Sequence, residues 1–194
     1  MKIIGLTGSI ATGKTTASTY LKNQGYAVIE TDRIYHDLLK PKKAAWQAIV
    51  EHFGPEFLTE DAEIDRKKLG QLVFSDQAAR MKLNQISHPI ILEEVKRQIE
   101  SHRAEKLVFL DVPLLFESKW ENNCDLVWVI AAPNDLQLAW LMKRNNLTLE
   151  EAKSRINAQM SQAEKIQKAD AVIWNKSSIE EFEKAIEMQL RRSV

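Results

Sequence analysis

The chain has 194 residues, enough for one compact domain with a sizeable core and a small insertion. Lysine plus arginine and aspartate plus glutamate each number 27, so the formal net charge is zero, which argues against nucleic acid as a partner. The single cysteine, Cys124, excludes an intramolecular disulfide, and the longest apolar run, residues 126–132, is far shorter than a membrane span of ~20 residues. We therefore expect a cytoplasmic monomer without a signal peptide or membrane contact.

The first motif along the chain is a glycine-rich loop at residues 8–15, Gly-Ser-Ile-Ala-Thr-Gly-Lys-Thr, which matches G-x-x-x-x-G-K-[ST] at every fixed position. Residues 2–7 before it predict a buried strand, and residues 16–24 after it predict a helix. Glycines let backbone N–H groups approach a polyphosphate, and the positive end of the helix dipole favours the anion. A turn that binds nothing is the alternative, which this strand–loop–helix context disfavours.

The loop therefore predicts a site for a nucleoside triphosphate with Mg²⁺. Lys14 adds a charge that reaches the outer phosphates, and the Thr15 hydroxyl stands where Mg²⁺ requires a ligand. The predicted nucleotide-binding residues of the loop are Gly8, Ile10, Ala11, Thr12, Gly13, Lys14, Thr15 and Thr16.

Four further strands are predicted, and they alternate with helical segments. They span residues 26–29, 106–111, 126–130 and 171–174. Because continuous apolar strands suit a parallel sheet that is covered on both faces, this alternation predicts a doubly wound α/β fold. Right-handed crossovers then place the carboxyl ends of all five strands along one edge of the sheet.

The connection between the second and third predicted strands, residues 33–103, is about seventy residues long and nearly all helical. After a first helix that ends at Gly54, we predict a second from Asp65, a third capped by Ser75, and a fourth that Pro89 opens in its first turn. Since βα connections are usually short, this excess predicts a helical module over the sheet edge, where an acceptor substrate would bind.

The later helices carry clear end signals. Thr148 with Glu151 and Ser161 with Glu164 match the capping-box pattern.

Several large residues are predicted to be structural: His88 as a packed or turn-forming histidine, and three tryptophans as core. The tryptophans are Trp46, Trp140 and Trp174.

Polar residues follow three of the strands and should converge with the loop. Asp111 suits a carboxylate that supports Mg²⁺, with a capping or turn aspartate as the alternative. Asp32 suits a proton acceptor in phosphoryl transfer, with the N-cap of a helix that begins at Arg33 as the alternative. Arg144 ends a helix and would close over the phosphates, with a solvated arginine as the alternative. Asn175 follows the fifth strand.

Together these motifs closely resemble the dephospho-CoA kinase family, whose members transfer the γ-phosphate of ATP to the ribose 3′-hydroxyl of dephospho-coenzyme A. The resemblance runs from residue 2 to about residue 178, and the string Asp-Val-Pro-Leu-Leu-Phe-Glu at 111–117 is its most specific part. The other matching elements are residues 6–15, Asp32, His88-Pro89, Arg155 with Gln159, and Ala169-Asp170 leading to Asn175.

The resemblance implies a fold of the P-loop nucleoside-monophosphate-kinase type, with a five-stranded parallel sheet in the order 2-3-1-4-5. It implies a core at about residues 1–32, 104–140 and 168–194, a helical acceptor-binding insertion at about 33–103 and a lid at about 141–167. ATP and dephospho-CoA would be the substrates, and Mg²⁺ the metal cofactor.

The resemblance also implies roles for single residues. Lys14 and Mg²⁺ would hold the β- and γ-phosphates, Asp32 would act as the base or through a Mg²⁺-bound water, and Arg144 would neutralise charge during transfer. Thr15 and Asp111 would serve the metal, and Asn175 would border the adenine. The family motif Asp-Ala-Asp appears here as Glu-Thr-Asp at 30–32, so only its second acid is an aspartate.

The family loop often has glycine at two positions where this chain has Ser9 and Ala11. We expect both replacements to be tolerated unless those positions require a positive φ.

Three other functions compete with this interpretation. A GTPase-like switch is suggested by Asn175-Lys176, but Ser178 stands where its guanine motif needs an acid, and Leu114 stands where its switch loop needs glycine. Another small-molecule kinase, for nucleosides or nucleoside monophosphates, would differ only in the helical insertion. A non-catalytic ATP-binding domain of a larger complex has little support, since no long exposed apolar run is predicted.

Overall fold

The computed structural model describes residues 1–193, which form a central five-stranded sheet between helices. The strands are β1 (Lys2–Gly8), β2 (Ala27–Glu30), β3 (Leu107–Asp111), β4 (Leu126–Ala131) and β5 (Ala171–Trp174). Their order is β2-β3-β1-β4-β5, which confirms the predicted fold class. In the parallel pairing of β1 with β3, Leu6 lies opposite Asp111, so β3 ends beside the start of the glycine-rich loop.

Nine α-helices are present in the described part of the chain, and none of them is both long and apolar enough to cross a bilayer. They are α1 (Lys14–Asn23), α2 (Thr31–Leu38), α3 (Ala44–Phe53), α4 (Arg66–Ser75), α5 (Gln77–Ser101), α6 (Asn134–Asn145), α7 (Leu149–Asn157), α8 (Gln162–Lys168) and α9 (Ile179–Ser193). Short 3₁₀ turns occupy Pro55–Phe57 and Trp120–Asn123. The predicted capping boxes of α7 and α8 are both formed.

The chain divides into two compact units. The first comprises Met1–Ile29 with His102–Val194, and the second comprises Glu30–Ser101. The core of the first unit is aromatic at its centre, where the rings of Phe109 and Trp128 lie 5.2 Å apart at 63°. Phe182 and Ile186 of α9 are buried in the same cluster, since the apolar face of that helix covers the sheet. This core fixes the strand ends that carry the polar residues.

The second unit has a separate apolar cluster formed by α3, α4 and their neighbours, with Leu39, Ile49 and Leu69 almost fully buried. Asp65 caps α4 as predicted, because its side chain accepts a hydrogen bond from the backbone of Lys68. The unit therefore has its own hydrophobic core.

Helix α5 differs from the sequence prediction. It is one helix of 25 residues that contains Pro89 in its interior, not a third helix followed by a fourth that Pro89 opens. Asp76, not Ser75, caps it, since the Asp76 carboxylate accepts from Ala78 and Ala79 while Ser75 ends α4. Buried residues on both sides of the proline, including Ile91, anchor the helix, and this packing outweighs the lost backbone hydrogen bond.

Two expectations about structural residues are also wrong. Trp174 is 42% exposed at the end of β5, so its assignment to the core is wrong, whereas Trp46 is partly buried against the apolar cluster of the second unit and Trp140 is partly buried on α6. His88 lies on the exposed face of α5, so it neither forms a turn nor packs in a core. Trp174 and His88 thus stand at exposed positions of elements whose other faces are buried.

Candidate active site

The glycine-rich loop joins β1 to α1, and both of its glycines are required by its shape. Gly13 has φ 100°, in the left-handed region, and a Cβ at this position would collide with the Asn175 amide. A Cβ on Gly8 would lie 2.6 Å from the carbonyl oxygen of Ile130 on the neighbouring strand. These glycines therefore allow the backbone to turn tightly against β4 and the segment after β5, as a phosphate-binding loop requires.

Of the two positions where the family loop often has glycine, one requires a positive φ. Ala11 has φ 62°, whereas Ser9 is not among the residues with positive φ. A left-handed conformation costs an alanine about 1–2 kcal/mol. Alanine at position 11 is therefore strained where the glycine of the family loop would not be. The loop holds Ala11 in this conformation through the hydrogen bonds on either side of it.

Those hydrogen bonds come from outside the loop as well as within it. The Gln159 Oε1 accepts from the N–H of Ile10 at 3.0 Å, and the Gln137 Nε2 donates to the Ile10 carbonyl at 2.8 Å. The Asn175 Nδ2 donates to the carbonyl of Thr12 at 3.1 Å. Both polar groups of the Ile10 backbone and one of Thr12 are therefore occupied by amide side chains from α6, the α7–α8 connection and the end of β5.

Gln137 is a residue that sequence reasoning missed. It is only 2% exposed, although it lies on a helix whose other residues gave an ordinary amphipathic pattern. A glutamine at a core-facing helical position is the one signal that would have marked it, because a buried amide needs hydrogen-bond partners.

Lys14 and Asp111 form an ion pair at the carboxyl edge of the sheet. The Lys14 ammonium donates to one carboxylate oxygen of Asp111, and the Ser18 hydroxyl donates to the other. Asp111 is only 5% exposed, and its carboxylate accepts from two donors of α1, while its role towards Mg²⁺ stays a prediction. Ser18 was not predicted, although it lies one helical turn after Lys14 and so faces the same side of α1.

The donor set at this edge fits a magnesium ion that is shared with a nucleotide. Thr15 is exposed in the first turn of α1, and Asp111 provides the nearby carboxylate. Residues 1–193 contain no group of three or more His, Cys, Asp or Glu side chains that would hold a metal alone. Mg²⁺ is commonly bound by one or two protein oxygens together with phosphates and water, which is the arrangement these two residues allow.

The remaining predicted residues occupy different places. Asp32 is exposed in the first turn of α2, and because α2 begins at Thr31 after the N-cap residue Glu30, the alternative role of Asp32 as N-cap is wrong. Arg144 is exposed in the last turn of α6, where its Nε donates to Asn145. Asp111 and Asn175 are brought to the loop, and the catalytic roles of Asp32 and Arg144 stay predictions.

The segment after α6, which contains α7 and α8, is held by the capping boxes of these two helices and by hydrogen bonds of Gln162. The Gln162 side chain both accepts from and donates to the backbone of Ala132, at 3.0 and 2.8 Å. The Ser161 hydroxyl holds the pKa of Glu164 below its ordinary value by hydrogen bonding to the carboxylate. A cavity of about 780 Å³ is lined by this segment, α6, Ser9 and Trp174.

The fold and the loop together define a class of protein: the phosphate-loop kinases, in which one loop holds the donor phosphates at the carboxyl edge of a parallel sheet. A shikimate kinase of solved structure from Acinetobacter baumannii shares this fold, with a TM-score of 0.55 and 15% identity over 99% of this chain and 94% of its own.

The chain belongs to the dephospho-CoA kinase family, because the family model with that description matches residues 2–181. It is 48% identical to the dephospho-CoA kinase of Lactobacillus acidophilus over 190 residues, 97% of this chain and 95% of that protein. The dephospho-CoA kinase from Campylobacter jejuni, whose structure is solved, is 33% identical over 98% of this chain and 96% of its own, and superposes with a TM-score of 0.74. These findings confirm the predicted family, the predicted enzyme class, an ATP-dependent kinase, and the predicted cofactors ATP and Mg²⁺.

Proposed function

We propose that this chain transfers the γ-phosphate of ATP to the ribose 3′-hydroxyl of dephospho-CoA and releases coenzyme A and ADP. The observation that carries the proposal is the ion pair between Lys14 and Asp111 beside the glycine-rich loop, in a chain of the dephospho-CoA kinase family. It brings an ammonium group and a carboxylate to the same strand edge, where they would serve the phosphates and the metal.

The donor half of the reaction belongs to the loop. Its backbone N–H groups and the start of α1 would hold the phosphates, while Lys14 would leave Asp111 to contact the outer phosphates. Thr15 and Asp111 would hold Mg²⁺, the latter directly or through water. When bound, Mg²⁺ would neutralise charge on the phosphates.

The acceptor half rests on Asp32, and Arg144 assists the transfer. The exposed carboxylate of Asp32 is free of a capping role and would accept the proton of the ribose hydroxyl, or act through a Mg²⁺-bound water. Arg144, exposed at the end of α6, would neutralise charge that develops during transfer. Asn175 would border the adenine while its amide steadies the loop.

We propose a separate function for each of three parts of the chain. Residues 33–103 would bind dephospho-CoA, the core at residues 1–32, 104–140 and 168–194 would bind ATP, and residues 141–167 would close as a lid. Closure excludes water, which would otherwise take the γ-phosphate. We further propose that the protein acts as a cytoplasmic monomer and binds no nucleic acid, in keeping with its zero net charge.

A single assay tests the proposed acceptor. ADP production is measured with ATP and Mg²⁺ in the presence of dephospho-CoA, nucleosides, nucleoside monophosphates or shikimate, each against a blank without acceptor. We expect stimulation by dephospho-CoA alone. The proposal is overturned when another compound stimulates ADP production and dephospho-CoA does not. Replacing ATP with GTP in the same assay distinguishes the kinase from a guanine-nucleotide switch.

A further inference from the structure

A buried ion pair lies close to the loop, and none of the roles proposed above uses it. Lys165 on α8 has no exposed surface, and its Nζ lies 2.9 Å from Oε1 of Glu117. The contact is an ion pair and not a well-directed hydrogen bond. Because an ammonium group is hardly ever removed from water without a counter-charge, the position of α8 depends on Glu117.

The same carboxylate oxygen also holds the connection between α7 and α8. Oε1 of Glu117 accepts a hydrogen bond from the backbone N–H of Met160 at 3.0 Å. Met160 directly follows Gln159, whose side chain accepts the N–H of Ile10 at 3.0 Å. Two hydrogen bonds and two adjacent residues therefore link Glu117 to the glycine-rich loop.

Packing by itself does not hold Gln159 in place. Gln159 and Met160 line the cavity of about 780 Å³ together with residues of α6, α7 and α8. A side chain that borders a cavity has fewer neighbours to restrict it, so polar contacts decide its position. Polar contacts of this connection include the hydrogen bond from the Gln159 N–H to the Ile156 carbonyl and the Ser161 capping box, and the bond from Met160 to Glu117 ties it to the string at 111–117.

We propose that Glu117 and Lys165 are positioning residues of the kinase site: the pair fixes Met160 and thereby holds Gln159 against Ile10 of the glycine-rich loop. The inference deepens the proposed function and rests on it. It also gives a physical role to both ends of the string at 111–117, since Asp111 holds Lys14 and Glu117 holds the Gln159 segment. One short segment thus supports the loop at two points.

The test separates a positioning role from a purely structural one. Glu117→Leu combined with Lys165→Met replaces the buried pair by apolar side chains of similar size, a change that often preserves or raises stability. We expect an unfolding temperature at or above that of the unchanged protein. We also expect amide exchange at Ile10 to be about fivefold faster and the Kd for Mg²⁺–ATP to be about fivefold higher, the effect of one net hydrogen bond.

Gln159→Ala tests whether the effect of the buried pair reaches Ile10 through Gln159. Alone it should give the same fivefold changes, and added to the double variant it should give no further change. A triple variant with about 25-fold weaker ATP binding would show independent effects and overturn the proposal. So would unchanged Ile10 exchange in the double variant, or an Ile10 amide that is unprotected in the unchanged protein.

A matched control is the exposed pair of Glu187 and Arg191 on α9. Glu187→Gln with Arg191→Met should leave both readouts unchanged. If this apolar double variant does not fold, Glu117→Ala with Lys165→Met, which removes both the acceptor of the Met160 N–H and the buried ammonium, is measured in its place with the same criteria. Exchange and ATP binding need no acceptor, so a failure of dephospho-CoA to stimulate ADP production contradicts the proposed function and leaves this inference to be judged separately.

Discussion

The ammonium group of Lys14 donates to the carboxylate of Asp111, which joins the cation of the glycine-rich loop to the end of β3. Both side chains are largely buried, and the Ser18 hydroxyl donates to the other oxygen of the carboxylate. The pair keeps two opposite charges ready at one strand edge without leaving either isolated. A polyphosphate that attracts Lys14 would draw the ammonium away from Asp111, whose carboxylate could then act as a ligand of Mg²⁺. Binding of the nucleotide and binding of Mg²⁺ should therefore be coupled.

Lys14→Met tests the contribution of Lys14 to ATP use and to the stability of the pair. We expect kcat/KM for ATP to fall by about 10²–10³-fold, because the charge that contacts the outer phosphates is lost. The free energy of unfolding should also fall by about 2 kcal/mol, since Asp111 loses a charged hydrogen-bond partner. Steady-state kinetics and urea denaturation measure the two effects. Lys184→Met, on the exposed face of α9, makes the same change in net charge and should alter neither.

Asp32→Asn tests the proposed base. The Kd for Mg²⁺–ATP should stay the same, whereas phosphate transfer to dephospho-CoA should slow by about 10²–10⁴-fold, because an amide cannot accept the hydroxyl proton. Calorimetry and a coupled ADP assay separate the two. Asp37→Asn is the matched control, since Asp37 is exposed on the same helix and its pKa is lowered by a hydrogen bond from Lys40. Near-normal turnover of Asp32→Asn would refute the base assignment.

The two left-handed positions of the loop should respond to substitution in opposite ways. Ala11→Gly should raise the free energy of unfolding by about 0.5–1 kcal/mol, because glycine accepts φ 62° without strain. Gly13→Ala should weaken ATP binding, since its Cβ would meet the Asn175 amide and displace the loop. Chemical denaturation and calorimetry measure these effects. Ala17→Gly, in the interior of α1, should instead destabilise by about 1 kcal/mol, and an equal gain there would contradict the argument for Ala11.

The elements that sequence reasoning predicted well are those with local signals. All five strands occur within two residues of the predicted ends, because each is a short apolar run bounded by polar residues. The loop and the capping boxes at Thr148 and Ser161 likewise depend on side chains only a few positions apart. Local chemistry decides such features, so they can be read along the chain.

The contacts that sequence reasoning missed join distant positions. Gln137 is 127 residues from Ile10, and Glu117 is 43 residues from Met160, so no spacing rule links them. The interruption predicted at Pro89 is wrong for a related reason, since the packing of α5 on other helices outweighs a local helix breaker. Tertiary packing alone decides which backbone group a buried amide or carboxylate side chain contacts.

Cys124 should be almost inert in the folded protein. Burial raises the pKa of its thiol to about 12, and Asp125 and Glu121 add to the effect. Only the thiolate is alkylated, so at pH 8 the native protein should react with iodoacetamide about 1,000-fold more slowly than a thiol of pKa 9.0. Since the folded state binds the proton more tightly, this group stabilises the fold fully below pH ~9 and loses that contribution as the pH rises towards 12.

Mass spectrometry of timed alkylation measures this reactivity of Cys124, with the protein in denaturant as its own reference. The native rate should rise about tenfold for each pH unit up to the onset of unfolding, whereas the denatured rate should level off above pH ~9. Saturating Mg²⁺–ATP should leave the native rate unchanged, because the thiol lies beside Gly5 of β1 and not in the glycine-rich loop. Equal native and denatured rates at pH 8 would show that the thiol is not buried in solution.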